Sequence, residues 1–510
     1  MNRHKMNIRI HDLCGIMLCL LFFFHRAIPI DYSSLWQIGV LCVIYLLSRQ
    51  LDKRFILVGF AVWSTIESLL AILQKFGFIS SNHPMFDVTG SLGNPGPLGE
   101  LLVVGLLASV TFLYHTIKRK FYTYSIAYTM ASLLNVAGLW LSQSRAAWVA
   151  VWISGLFLLC IYMYRCMSRK CFHLCWSGLF VLFILFLVAV YFLKKDSADG
   201  RLLIWTNTWR MVQEFPLFGR GTGGWLADYM HFQADYFVQH PDSPYLLLAD
   251  NVAYPYNEYL LLLAEQGVVG FLLMLLFLYS LLFNKLNGFL EKALLLSFLT
   301  FAFFSYPSNV FALQLLLVAI IGMMRSKPLK TFPLSAGKFK YAIGIVLLPI
   351  ALLSVHSYSI YAQAYGNIRK LYEGKREDAL PELEALYPHF CHNPVLLSLY
   401  SHICMDYLPS DEVLKLLEET ECLMPNGDVY MDLGDVWKQK GDMLRAERCY
   451  QTAMHMVSSR LMPKYKLFRL YQEQEKRKEA LALREQILAC PLKKESTREL
   501  RIKREVRAYQ

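Results

Sequence analysis

Three arginines carry the clearest chemistry in this chain. Arg145 lies in WLSQSRAAW (140–148), between Trp140 and Trp148. A charge at the bilayer centre costs ~2.5–3.5 kcal/mol even on the most lenient insertion scale, so Arg145 belongs at headgroup level or beside a wet cavity. There it either anchors its helix by snorkelling or offers a permanently charged fork of donors to phosphate oxygens. Arg201 is followed at helical spacing by Trp205 and Trp209, the pattern of an amphipathic helix lying on a membrane surface. Pro216 and the glycines of GRGTGGW (219–225) end that helix in a tight turn, and Arg220 inside the turn is in reach of a phosphate or of solvent. These glycines make no nucleotide loop, because no strand precedes them and no GKS or GKT follows. A second turn, TGSLGNPGPLGE (89–100), runs straight into a helix with Pro97 in its first turn, and free amides at such a helix start suit an anion.

Membrane helices must position these residues. The chain is 55% hydrophobic, only 18% charged, and has a mean hydropathy of +0.35, which describes a polytopic membrane protein with a soluble piece attached. Eleven apolar runs lie near 13–30, 35–48, 55–73, 97–115, 122–141, 146–164, 172–193, 257–283, 289–306, 309–324 and 341–360. The fold class expected is therefore all-α, a bundle of about eleven spans over residues 1–360, followed by a helical domain over 361–510. The basic residues in the short connections fall 19 on one side against three, Arg26, Lys75 and Arg145, on the other. That bias puts the N-terminus in the cytoplasm, with the long loop 194–256 and the C-terminal region on the outer face. A loop that long, set among spans, suggests function.

The net charge of +12 sits mostly in those short clusters, so bilayer orientation explains it and no nucleic-acid partner is expected. The twelve cysteines include no CxxC pair and no His/Cys group with metal-ligand spacing, so neither metal nor cofactor is expected. Beyond residue 360 the composition turns charged and amphipathic. Leu433, Trp437, Gly441, Ala446, Tyr450 and Ala453 carry a tetratricopeptide pattern that Leu467, Tyr471 and Ala480 repeat 34 residues on. Gly374, Ala379 and Leu383 look like an earlier copy, giving three to four repeats, and an array of this kind usually serves as a surface for a protein partner.

The ordered set GSLGNPGP (90–97), SQSRAAW (142–148), Arg201–x3–Trp205–x5–Met211–x4–Pro216–x2–Gly219–x–Gly221, and YNE (256–258) with Glu265, Gly267 and Gly270 resembles the O-antigen ligase and polymerase superfamily of bacterial envelope glycan assembly. The resemblance implies a glycosyltransferase of the inner membrane, acting at the periplasmic face without nucleotide or metal. It moves a saccharide from undecaprenyl pyrophosphate to a lipid, glycan or protein hydroxyl. Arg145 and Arg201 fall on the positions that hold the donor pyrophosphate, with Arg220 a further candidate. Tyr256 and Asn257 fall on the catalytic motif, in which the family has His where this chain has Tyr256. A neutral tyrosine is a poor base at pH 7, so another group such as His240, Glu258 or Asp250 takes that role, or the acceptor differs, or activity is lost. His231 is a further loop histidine. The alternatives within the class are a polysaccharide polymerase and a protein O-oligosaccharyltransferase; a non-enzymatic transport or scaffold protein is the reading outside it.

Overall fold

The computed structural model describes residues 5–325, 328–333, 336–374, 379–491 and 496–509. Their regular structure is helical apart from one antiparallel pairing of strands β1 (Lys5–Arg9) and β2 (Pro328–Pro333). The membrane part runs α1 (Ile10–Phe24), α2 (Leu35–Ser48), α3 (Lys53–Lys75), α4 (Pro95–Lys118), α5 (Tyr122–Ser142), α6 (Arg145–Cys166) and α7 (Arg169–Leu193). After an intervening segment, α8 (Lys195–Glu214) and α9 (Gly224–Gln239), it resumes with α10 (Glu258–Leu282), α11 (Phe289–Phe303), α12 (Phe311–Met323) and α13 (Ala336–Tyr372).

All eleven apolar runs fold as helices. Six of these among the described residues, α3 to α7 and α10, are long and apolar enough to cross a membrane. The helices α1, α2, α11 and α12 have 13 to 15 residues. At 1.5 Å per residue that is roughly 20–23 Å, short of a ~30 Å hydrocarbon core.

Helix α4 is the hub, packed by α3, α5, α6 and α11, with Leu98, Leu101, Leu102, Val103 and Val104 fully buried. Its start is fixed by Asn94, whose side chain accepts from the Gly96 amide; Ser144 does the same for α6 at Ala147. The two starts lie close because Gly99 carries no side chain: a Cβ there would stand 2.7 Å from that of Ala147. Helix α7 is the opposite case, exposed along almost its whole length, with Phe180, Leu182, Leu185 and Phe192 facing outward as lipid contacts would require.

The C-terminal region folds as α14 (Ala379–Phe390), α15 (Pro394–Cys404), α16 (Ser410–Leu423), α17 (Gly427–Gln439), α18 (Met443–Met456), α19 (Leu461–Glu473), α20 (Arg477–Ala489) and α21 (Thr497–Arg507). The 34-residue step is visible in the helix starts, from 427 to 461 and from 443 to 477. Ala446, Ala453 and Ala480, the small residues that let paired helices approach, are fully buried.

This array is joined to the α8–α9 segment by one core. Ile204, Met211 and Val212 of α8 and Trp225, Tyr229 and Met230 of α9 share a cluster with Ile368, Leu383, Leu417, Leu433 and Met456. The helix expected to rest on a membrane surface therefore has its apolar face covered by α9 and α10, which satisfy the same amphipathic pattern, and the array packs against α9 in turn. Trp209 alone of its tryptophans is half exposed.

Candidate functional site

Because successive helices alternate in direction, the ends of α3, α5 and α11 and the starts of α4, α6, α8 and α10 meet at one end of the molecule. They enclose a cavity of about 820 Å³. Its wall includes Lys75, residues 94–96, residues 141–146, Lys194, Asp196, Ser197, Arg201, Asp250, Tyr254, Tyr256 and residues 304–306. The first turns of α4, α6 and α8 open on this space with the positive ends of their dipoles; unpaired amides remain at α6 and α8, whereas in α4 Pro95 and Pro97 carry no N–H and Asn94 takes the Gly96 amide. Such ends favour an anion.

Three cations on the wall have no carboxylate partner among the described residues: Arg145, Lys194 and Arg201. Arg145 donates from Nη1 to the carbonyls of Val190 (3.3 Å) and Lys194 (3.0 Å), and from Nη2 to Ser197 Oγ (3.0 Å). It thereby braces the junction of α7 and α8 that carries Lys194. Burial, then the charge of Arg145, hold Lys194 below its ordinary value. Arg201 makes no side-chain hydrogen bond among the described residues; its guanidinium lies 5.3 Å from the centre of the Tyr256 ring. Burial, then Arg145, pull Arg201 down to about 10, still charged at neutral pH. An uncompensated cation on a cavity wall is poised for an anionic ligand.

Tyr256 belongs to an aromatic group. Tyr254 and Tyr306 stack at 4.0 Å between centroids, and Tyr256 meets them edge-on at 5.4 and 5.3 Å. Its backbone has φ +55°, a left-handed conformation that is costly for a bulky residue and found mainly where structure over-determines it. Burial raises its phenol, so it remains protonated at neutral pH and acts as ring and donor rather than base. The next residue, Asn257, caps α10: its side chain accepts from the amides of Tyr259 and Leu260, and it is buried away from the cavity wall.

The glycine motifs serve the scaffold. Glu67 accepts from Ser91 N (2.8 Å) and Ser91 Oγ (2.5 Å), and Gln74 from the amides of Thr89 (2.9 Å) and Gly90 (2.8 Å). The 89–91 turn is thus held rigidly ahead of the α4 start. Helix α10 is kinked at Gly267 (φ 62°, ψ −165°), a conformation essentially restricted to glycine. The 216–223 turn threads this kink: Arg220 N donates to Ala264 O, Gly221 N to Glu265 O and Val268 N to Pro216 O, while Glu265 Oε1 accepts from Gly223 N. This places Arg220 off the cavity. Its Nε pairs with Asp228 at 2.9 Å and its guanidinium lies 4.3 Å from the Phe215 ring.

Of the candidate bases, His240 stacks on Tyr236 at the end of α9, and His231 meets Tyr430 of the array edge-on. Glu258 accepts from the amide and hydroxyl of Ser308 (2.9 and 2.8 Å). Among these four groups Asp250 alone lines the cavity. Sequence reasoning passed over Lys194, Tyr254, Tyr306 and His83, all on the wall. Lys194 had a signal, since a cation directly after an apolar run sits at the same level as Arg145; the rest had none.

Residues 130–275 match the family model for O-antigen ligase. The matched segment runs from the second half of α5 into α10 and carries Arg145, Lys194, Arg201, Asp250 and Tyr256. A comparison with curated proteins returned no match. The O-antigen ligase match supports a role in membrane glycan processing for a glycosyltransferase-type, multi-pass membrane protein. Tyr306 and the C-terminal array lie outside the matched residues.

Proposed function

We propose that this protein transfers a saccharide from a polyprenyl pyrophosphate, of the undecaprenyl type in a bacterial inner membrane, to an acceptor hydroxyl at the outer face. The observation that carries the reading is the cavity whose wall holds Arg145, Lys194 and Arg201, with no carboxylate partner among the described residues, beside three helix starts. A pyrophosphate supplies the charge those groups lack. In the transfer, the acceptor oxygen forms a bond to the anomeric carbon, the bond from that carbon to the pyrophosphate oxygen breaks with its electron pair, and the hydroxyl proton passes to a base. The leaving pyrophosphate gains charge, and fixed cations stabilise it. Asp250 is the group we assign as base, as the candidate facing the cavity. Tyr256 holds the Arg201 side chain and offers its hydroxyl to the acceptor.

The test is reconstitution with an undecaprenyl-pyrophosphate glycan, comparing wild type with Arg201→Ala, Lys194→Ala and Asp250→Asn by donor loss and product mass. Wild-type turnover that the cation variants lose supports the reading. The product mass separates addition of one block to a lipid or protein from chain growth. Tight donor binding with no consumption by any offered acceptor would instead favour a transport or scaffold role.

A further inference from the structure

The array expected to await a protein partner is already engaged with the cavity wall. Arg460, between α18 and α19, donates from Nη2 to Asp250 Oδ1 at 2.8 Å, and from Nη1 to Asp428 Oδ1 and Oδ2 at 2.9 and 3.1 Å. The neighbouring Asn251 donates to Asp428 Oδ2 at 2.7 Å and accepts from the Gly427 amide at 3.2 Å. Gln233 of α9 completes the clamp, donating to the carbonyls of Asp250 (3.1 Å) and Met456 (2.6 Å). The clamped chain, 240–257, has neither helix nor strand to fix it. Its position is set by contacts like these, and it carries Asp250, Tyr254 and Tyr256 to the wall.

We propose that the C-terminal array is a working part of the transfer site, and that Arg460 is a positioning residue that holds Asp250 and the run to Tyr256 in reacting geometry. Arg460 makes a two-armed bridge, with one arm on the array's own Asp428 and one on Asp250, so the array fixes where the carboxylate stands. The cations Arg145, Lys194 and Arg201 are carried by other elements, and the hydrogen bonds of Arg145 lie outside the clamped run, into which only the Arg201–Tyr256 ring contact reaches. This inference rests on the transfer reading above.

The experiment uses the full-length chain in lipid with the undecaprenyl-pyrophosphate glycan, and measures kcat, donor KM and the donor-binding fraction for Arg460→Ala, Arg460→Lys and Asp428→Asn. A misplacement of about 1 Å costs on the order of 100-fold in rate, so Arg460→Ala is expected to lower kcat by roughly 10- to 100-fold. Donor KM and the binding fraction should change by less than kcat, by no more than the few-fold that loosening the Arg201–Tyr256 contact allows. Lysine, which keeps one arm of charge, should recover part of the loss. Asp428→Asn, which leaves Asp250 and Arg460 in place, should give a smaller fall in kcat of the same kind and keeps the test alive if Arg460→Ala does not fold. A loss that merely follows the donor-binding fraction would show a fold-stabilising bridge and overturn the inference. So would unchanged kcat in Arg460→Ala. A wild type that consumes no donor refutes the transfer reading and this inference together, whereas wild-type turnover with an unaffected Arg460→Ala refutes this inference alone.

Discussion

Arg201 should cost the protein stability that its removal returns. Its guanidinium is held at about 10, below the ordinary value of 12.5, chiefly by burial. A tenfold change in an acid constant corresponds to ~1.4 kcal/mol, so the folded state carries an unfavourable contribution of ~3 kcal/mol while the group is charged. The sign follows from proton counts. Below pH 10 folded and unfolded chains both hold the proton and the full penalty applies. Between about 10 and 12.5 the folded chain releases it first, so the penalty is lost as pH rises. At neutral pH, Arg201→Gln, which keeps the stem and drops the charge, should therefore raise the melting temperature by a few degrees while abolishing turnover. Tryptophan fluorescence reads this directly, since Trp205 sits one turn along α8 with its Nε1 donating to Pro255 O. Saturating donor should reverse the order: at ~1,000 times Kd a ligand adds ~4.1 kcal/mol to the wild type and little to a variant that binds poorly. An Arg201→Gln protein that melts at or below the wild type refutes the reasoning, because contacts of the guanidinium would then offset its burial.

Four further substitutions, at three positions, test the scaffold. Tyr256→Phe keeps the ring under Arg201 and should stay within about fivefold of wild-type kcat, whereas Tyr256→Ala loses a cation–ring contact of ~0.5–2 kcal/mol and should weaken donor binding by roughly 2- to 30-fold in a binding titration. Gly267→Ala would place a Cβ 2.2 Å from Leu217 O in a conformation costing ~1–3 kcal/mol, so the yield of folded monomer on size exclusion should collapse. Glu67→Ala frees the 89–91 turn by removing two hydrogen bonds to a carboxylate, each ~1.5–3 kcal/mol; donor KM should rise while the fold, read by melting, persists at reduced temperature.

Hydropathy made the helical bundle legible, since each apolar run became a helix, and caps such as Asn94, Ser144 and Asn257 mark starts that a sequence displays openly. Arg145 and Arg201 were legible for the same local reason, as isolated cations beside tryptophans. What buries α8 was not. Its amphipathic face fits lipid as well as protein, and nothing local shows that α9 and α10 fold back to cover it, with the array beyond 360 packed on α9. The purpose of the glycines at 219–224 was hidden likewise, because the kink at Gly267 that they enclose is a property of a distant helix. Arg220 looked available in the sequence only because Asp228, its partner, lies in the following helix, where spacing alone does not show which side chains meet.

The bridge from Arg460 to Asp250 spans 210 residues of chain. A ribosome adding ~5–20 residues per second needs roughly 10–40 s to cover that distance, so the reactive loop emerges long before its clamp. Helices α10 to α13 are made within that interval, and for its last part, after residue 372, the bundle is complete with the cavity's cations made and Asp250 unanchored. A truncated or unfinished chain would therefore bind donor and hold it unspent, and competence would arrive only with the last pairs of helices.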